Sequence, residues 1–308
     1  MRSLIHAAAF YSVYFAPRGR ERLLFLGEQI SQRHLTFDDR LIGIIGDAGS
    51  GKSSLIKGMF PGLELMNDDD RLDSHRVMLI RDQSESINEA TTFHLDMRFQ
   101  TAFTQMYEIV SFVRKALENG RRIIIEHFDL LYPALKIKAD IMIGIGEEII
   151  VTRPGIFGPL PGDIGEIVHN SLKYRKMVHT AEDITTMILE REYKMDHTWR
   201  NSDVRRGFVL VFDEKPDIDL TELEEKVRNI IDLHIDVRYY SEIYIQLGDY
   251  EPVKCNGPRI HVGNTEEIEN FRLLREYTYD RLSNSYSLVG LVGSGEQDNE
   301  DLNKPRIF

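Results

Sequence analysis

The chain has 308 residues, 42% of them hydrophobic, a single cysteine and a formal net charge of −12. That length divides more naturally into two domains of ordinary size than one core. The acidic balance excludes broad, sequence-independent adhesion to nucleic acid or anionic membrane, which draws on clustered Lys and Arg, and the lone Cys255 excludes an intramolecular disulfide framework.

The segment from Arg2 to Phe10 has the superficial look of a secretory leader. His6, Tyr11 and Tyr14 interrupt it and Ala16-Pro17-Arg18 is a poor cleavage site, so it reads as mature structure. No apolar run reaches the roughly 18 residues of a membrane span, so no membrane partner is expected. A strand at 41–46 and a helix from Lys52 to Met59 come next, then a strand at Arg76–Ile80 and a helix from about Thr101 to Leu117, stopped by Asn119-Gly120. Strands at Ile123–Glu126 and Asp140–Ile143 complete an alternation that predicts an α/β domain with a mostly parallel sheet.

Pro and Gly concentrate between Thr152 and Asp163, which marks the domain boundary. The division expected is residues 1–160, residues 161–293 and a polar, acidic tail at 294–308. The second domain carries a helix near Thr180–Glu192, a strand at Gly207–Phe212 and a helix at Leu220–Leu233 capped by Asp219 or Thr221. Short strands at Ile235–Tyr239 and Ile243–Leu247 make it α+β with an antiparallel sheet.

Residues Gly46-Asp47-Ala48-Gly49-Ser50-Gly51-Lys52-Ser53, followed by Ser54, spell the phosphate loop G-x-x-x-x-G-K-[ST] between an apolar strand and a helix. The glycines let successive backbone N–H groups turn towards phosphates, Lys52 reaches the terminal phosphates and the Ser53 hydroxyl takes Mg²⁺. The loop therefore predicts a nucleoside triphosphate, ATP or GTP with Mg²⁺. An acid at a strand end should complete the magnesium shell. Glu126 is preferred over Asp82 because its strand is the more apolar, with Asp129 a competitor. Asp68-Asp69-Asp70 reads as an exposed loop.

His179 and Asp183 stand one helical turn apart on one face. Far along the chain, Cys255 and His261 flank the turn Asn256-Gly257-Pro258-Arg259-Ile260. Together they compose a tetrahedral set of N, O and S donors that suits Zn²⁺. The basic run Lys173-Tyr174-Arg175-Lys176 just before them could meet tRNA phosphates, with Tyr174 stacking, or be a solvated helix face.

The ordered set His179-Thr180-Ala181, Gly207 to Asp213, Leu223-Glu224, and Cys255 to Ile268 with its His261-Val262-Gly263-Asn264-Thr265 run resembles the second additional domain of alanyl-tRNA synthetases, also found in free-standing alanyl-tRNA editing proteins. The resemblance covers roughly residues 165 to 280. It implies zinc-dependent hydrolysis of wrongly charged aminoacyl-tRNA, with His179, Cys255 and His261 matching the family's ligands and Thr180 lining the amino-acid pocket. Asp183 stands where the family has a second histidine, and the cysteine-to-histidine spacing is two residues longer. The extra negative charge makes the metal a weaker electrophile. Glu182, pointing away from that face, takes no role.

In the first half, the phosphate loop, the segment Thr92 to Phe99 and the strand with Glu126 are similar in layout to uridine-kinase-like phosphotransferases. That similarity implies an acid acting as base on an acceptor hydroxyl, Asp96 or Asp82. A small-molecule kinase and a non-catalytic tRNA-binding nucleotide switch are therefore the alternatives to ester hydrolysis. No motif sets the number of copies in the assembly.

Overall fold

The computed structural model describes residues 11–63, 65, 92–241, 243–255, 260–294 and 302–303. The expected strand at Arg76–Ile80, Asp82, Asp68-Asp69-Asp70, the turn 256–259 and most of the polar tail lie outside them. The chain forms two compact units, Met1–Ala16 with Glu21–Asn170, and Pro17–Arg20 with Ser171–Phe308.

In the first unit, β1 (Tyr11–Phe15), α1 (Arg20–His34), β2 (Leu41–Gly46) and α2 (Lys52–Met59) are followed by β3 (Thr92–Asp96), α3 (Met97–Gln100) and α4 (Met106–Glu118). Then come β4 (Arg122–Glu126), α5 (Phe128–Leu135), β5 (Ile141–Ile145) and β6 (Glu148–Thr152). The sheet order is β1-β6-β5-β2-β4-β3. Strands β5, β2, β4 and β3 pair in parallel, while β6 and β1 close one edge antiparallel. Every residue of β2 is buried, as expected of a central strand covered on both faces. Ile42 and Ile44 pack towards Leu23, Ile30, Leu55 and Ile56 of α1 and α2. Leu41 and Ile45 share the opposite core with Phe112 of α4 and Phe128 of α5.

The helix that carries Lys52 is held by close backbone approach. A Cβ on Gly58 would lie 2.0 Å from the Leu24 carbonyl oxygen, and one on Gly27 would lie 2.3 Å from that of Leu55. Only glycine fits at this crossing. The helix expected from Thr101 begins instead at Met106, because Thr101 still closes the short α3 through its N–H to the Met97 carbonyl at 3.0 Å.

Helix α6 (Pro161–Arg191) starts well before the expected Thr180, so Pro161-Gly162-Asp163 form its first turn. Proline suits a first helical position, and the Asp163 carboxylate accepts from the Leu160 N–H at 2.8 Å. The two compact units divide inside this helix, between Asn170 and Ser171.

The second unit adds β7 (Arg200–Val204), β8 (Gly207–Phe212), α7 (Leu220–Ile231), β9 (Val237–Ser241), β10 (Tyr244–Leu247) and β11 (Val253–Lys254). A 3-10 turn at Thr265–Glu267 precedes β12 (Arg272–Leu273), β13 (Thr278–Asp280) and β14 (Ser285–Leu291). Its two sheets, β12-β14-β8-β7 with β13 beside β14, and β11-β10-β9, are antiparallel. Asp219 caps α7 by accepting from the Thr221 N–H at 2.8 Å. Val178, Ala181, Ile184 and Ile188 of α6 join Phe208, Leu210 and Leu288 in the core. Among the described residues, no helix is long and apolar enough to cross a membrane.

Candidate metal centre and phosphate loop

In the second unit, α6 projects His179 and Asp183 from one face, and the chain after β11 returns to set Cys255 and His261 against them. Cys255 Sγ lies 3.4 Å from His179 Nε2 and 3.4 Å from His261 Nε2. Asp183 Oδ2 lies 3.9 Å from His179 Nε2 and 3.8 Å from His261 Nε2. A zinc tetrahedron with bonds of about 2.0–2.3 Å has edges of roughly 3.3–3.7 Å, so these separations are close to those of a ligand set. The two imidazoles stack with centroids 4.2 Å apart.

The outer contacts orient both rings. His179 Nδ1 faces the Ile260 carbonyl at 3.1 Å, which selects the tautomer that donates there and leaves the Nε2 lone pair towards the centre. His261 Nδ1 lies 3.4 Å from Thr180 Oγ1. That hydroxyl donates to the Lys176 carbonyl at 3.0 Å and accepts from the Val262 N–H at 3.2 Å. Thr180, which the resemblance placed in an amino-acid pocket, is fully buried and holds His261 in place. Replacing it with the near-isosteric valine should weaken metal binding about 10–100-fold while leaving the fold intact, measured by competition with a chromophoric chelator.

Burial pushes His179 well below its ordinary range and His261 down to about 4. Burial, reinforced by Glu182, pushes the Asp183 carboxyl well above its ordinary range, and its Oδ2 has no hydrogen-bond partner. Neutral imidazoles around an orphaned carboxylate oxygen are what a cation would satisfy.

Glu182, expected to point away, is buried and pairs with the Arg18 guanidinium through Nε. Asn201 donates to its other oxygen at 3.1 Å, and Arg18 also reaches Asp203 at 3.0 Å. This network supports the helix behind the centre. Sequence reasoning missed it because Arg18 and Glu182 lie 164 positions apart.

The basic run is dispersed. Arg175 is buried and donates to the Pro17 carbonyl at 3.2 Å. Tyr174 has Arg206 over its ring at 4.0 Å and Lys173 at 4.9 Å. The helix turns these residues to different surroundings, with Lys173 exposed and Lys176 half-buried.

In the first unit, β2 ends at Gly46 and α2 begins at Lys52, so Asp47, Ala48, Gly49, Ser50 and Gly51 form the intervening loop. Gly49 and Gly51 take φ of 75° and 92°, the left-handed region that lets backbone turn tightly. Ser50 is buried, while Ser53 and Ser54 are half-buried in the first turn of α2. Lys52 Nζ donates to the Asp47 carbonyl at 2.9 Å and lies 3.6 Å from Glu126 Oε2.

The parallel register sets Asp96 beside Glu126 at the strand ends. Asp96 Oδ1 caps α3, accepting from the N–H groups of Arg98 at 2.9 Å and Phe99 at 3.3 Å. His94 Nε2 meets Glu126 Oε1 at 3.1 Å. Burial raises the Glu126 carboxyl, but His94 and Lys52 outweigh it and hold the group below its ordinary value. His127, which no sequence motif marks, adjoins this group, and burial with Lys52 nearby pushes it down to about 4. Asp129 is half-buried, with Oδ1 lacking a hydrogen-bond partner.

No family model matches the chain, and no curated protein does. Among solved structures, the ornithine aminotransferase from Toxoplasma gondii ME49 aligns at 11% identity over 73% of this chain and 65% of that one, less than two thirds of its length. Its TM-score is 0.24.

Proposed function

We propose that the protein hydrolyses an aminoacyl ester of the aminoacyl-tRNA type at a zinc centre in its second unit, and binds ATP or GTP with Mg²⁺ at the phosphate loop of its first. The observation that carries the first part is the convergence of His179, Asp183, Cys255 and His261, whose ligand atoms lie within 4.8 Å of one another. One thiolate and one carboxylate balance the charge of a divalent ion, and two neutral imidazoles complete a borderline-soft donor set. Zinc held there would supply a Lewis acid for an ester carbonyl. The chain's own residues do the positioning: Thr180 and the Ile260 carbonyl fix the imidazoles, and the Arg18–Glu182 pair steadies the helix that presents His179 and Asp183.

At the phosphate loop, Gly46 to Ser54 would cradle the triphosphate, and Ser53 with Glu126 would hold Mg²⁺. Lys52 would exchange Glu126 for the phosphates.

The alternative phosphotransferase reading rests on Asp96, which stands beside Glu126 at the strand end and would serve as base for an acceptor hydroxyl.

The test is release of free amino acid from a panel of aminoacyl-tRNAs by the zinc-loaded chain. Hydrolysis lost in Cys255→Ala together with the zinc supports the proposal. Zinc bound with no hydrolysis would overturn the esterase and leave a structural metal, and phosphate transfer from ATP to nucleosides that survives Cys255→Ala would favour the kinase.

A further inference from the structure

Besides the centre in the second unit, Asp96, Glu126 and His127 form a group with ligand atoms within 4.8 Å of one another. We propose that these three residues bind a divalent transition ion of the Mn²⁺ class at the carboxyl edge of the parallel sheet, beside Lys52. Their exposures are only 8%, 1% and 4%. Two buried carboxylates side by side need compensating positive charge. Lys52 provides some of it at 3.6 Å from Glu126.

His127 is the informative member. Its backbone adopts φ 56° in the left-handed region, which costs a non-glycine residue on the order of 1 kcal/mol or more, directly after β4 and before α5. The strained turn buries the His127 side chain beside Glu126 and Asp96. A buried imidazole next to two carboxylates, with ligand atoms within 4.8 Å of one another, has the composition of a ligand set. The carboxylates are pre-oriented, Glu126 by His94 and Asp96 by the N–H groups it caps. Such outer contacts are what a metal site requires.

The donor set fixes the chemical class of the ion. Mg²⁺ is served by oxygen donors and retained waters, whereas one imidazole with two carboxylates suits Mn²⁺ and its neighbours. With triphosphate bound, Glu126 would instead pass to the Mg²⁺ of the phosphate loop as Lys52 turns to the phosphates. This last step rests on the phosphate-loop reading, but the cation site stands without nucleotide.

The experiment is Mn²⁺ binding to the full chain without nucleotide, followed by electron spin resonance with detection of nitrogen coupling. His127→Asn is the chosen variant, because asparagine tolerates the left-handed region and should not unfold the turn. The wild type should bind Mn²⁺ with an imidazole-nitrogen signature. His127→Asn should lose that signature and roughly 10–100-fold or more in affinity, with Asp96→Asn losing affinity likewise. His179→Gln should keep both. Failure to bind Mn²⁺, a nitrogen signature that persists in His127→Asn, or one lost in His179→Gln instead would overturn the proposal. Mg–ATP affinity measured on the same proteins separates the two readings: Mg–ATP bound without the Mn²⁺ signature sinks the cation site alone, and the signature without Mg–ATP binding supports the site while sinking the phosphate-loop reading.

Discussion

Asp183→Asn should make the metal-free protein more stable, by about 1–3 kcal/mol near pH 8, and the zinc-loaded protein less stable. The opposite signs follow from one oxygen atom. Asp183 Oδ2 is buried without a hydrogen-bond partner, and burial together with Glu182 holds its carboxyl well above the ordinary 3.8. A carboxyl raised on folding keeps its full stability only below its unfolded value. Stability therefore declines as pH rises from 3.8 and the whole penalty is present above the raised folded value. Asparagine removes that slope. The neighbouring histidines titrate in the opposite sense, with His261 lowered to about 4, but they are common to both proteins and cancel in the difference. With zinc bound, the carboxylate becomes a ligand and its loss weakens the centre. Urea denaturation with chelator and with zinc, each at several pH values, measures both effects.

Lys52→Ala should remove triphosphate binding, at a cost of about 2–5 kcal/mol in affinity, the range for truncating one partner of a buried charge pair. Lys52 is itself buried, and burial holds its ammonium below the ordinary value despite Glu126 and Asp96. On the phosphate-loop reading, a cation kept partly desolvated at the N-terminus of α2 would meet the incoming polyanion. The substitution also strands Glu126, which is 1% exposed, with His94 as a remaining partner. Some loss of folding stability is expected as well. Lys52→Arg keeps the charge beside Glu126 but not the compact ammonium, so it should recover stability more fully than nucleotide affinity. Calorimetric titration with Mg–ATP and Mg–GTP, beside thermal unfolding of each variant, separates the two contributions.

The parts of the fold legible in the sequence are those whose cause is local. Strand β2, helix α2 and strand β8 fall where an unbroken apolar run, the loop glycines and the Gly207–Phe212 segment place them. The sequence marks helix α6 only near its end, since Pro161 and Gly162 resemble a linker and only the fold brings the Asp163 carboxylate onto the Leu160 N–H. Strand β1 has no local signal, because its pairing with β6 spans most of the first unit.

The proposed metal centre divides in the same way. His179 and Asp183 show themselves by helical spacing, and Cys255 and His261 by their chemistry. What orients them is non-local: Thr180 reaches His261 across 81 positions, and the Ile260 carbonyl reaches His179 across the same separation. His127 is silent in the sequence for a different reason, since its backbone conformation and its neighbours distinguish it only in the fold.

Zinc-edge X-ray absorption on the full chain, with metal stoichiometry, tests the central claim most directly. The expected result is one zinc per chain with one sulfur and three nitrogen or oxygen neighbours, the sulfur shell vanishing in Cys255→Ala. A chain that retains no zinc, or whose zinc keeps the same shell after that substitution, would contradict the assignment of His179, Asp183, Cys255 and His261 as a metal centre.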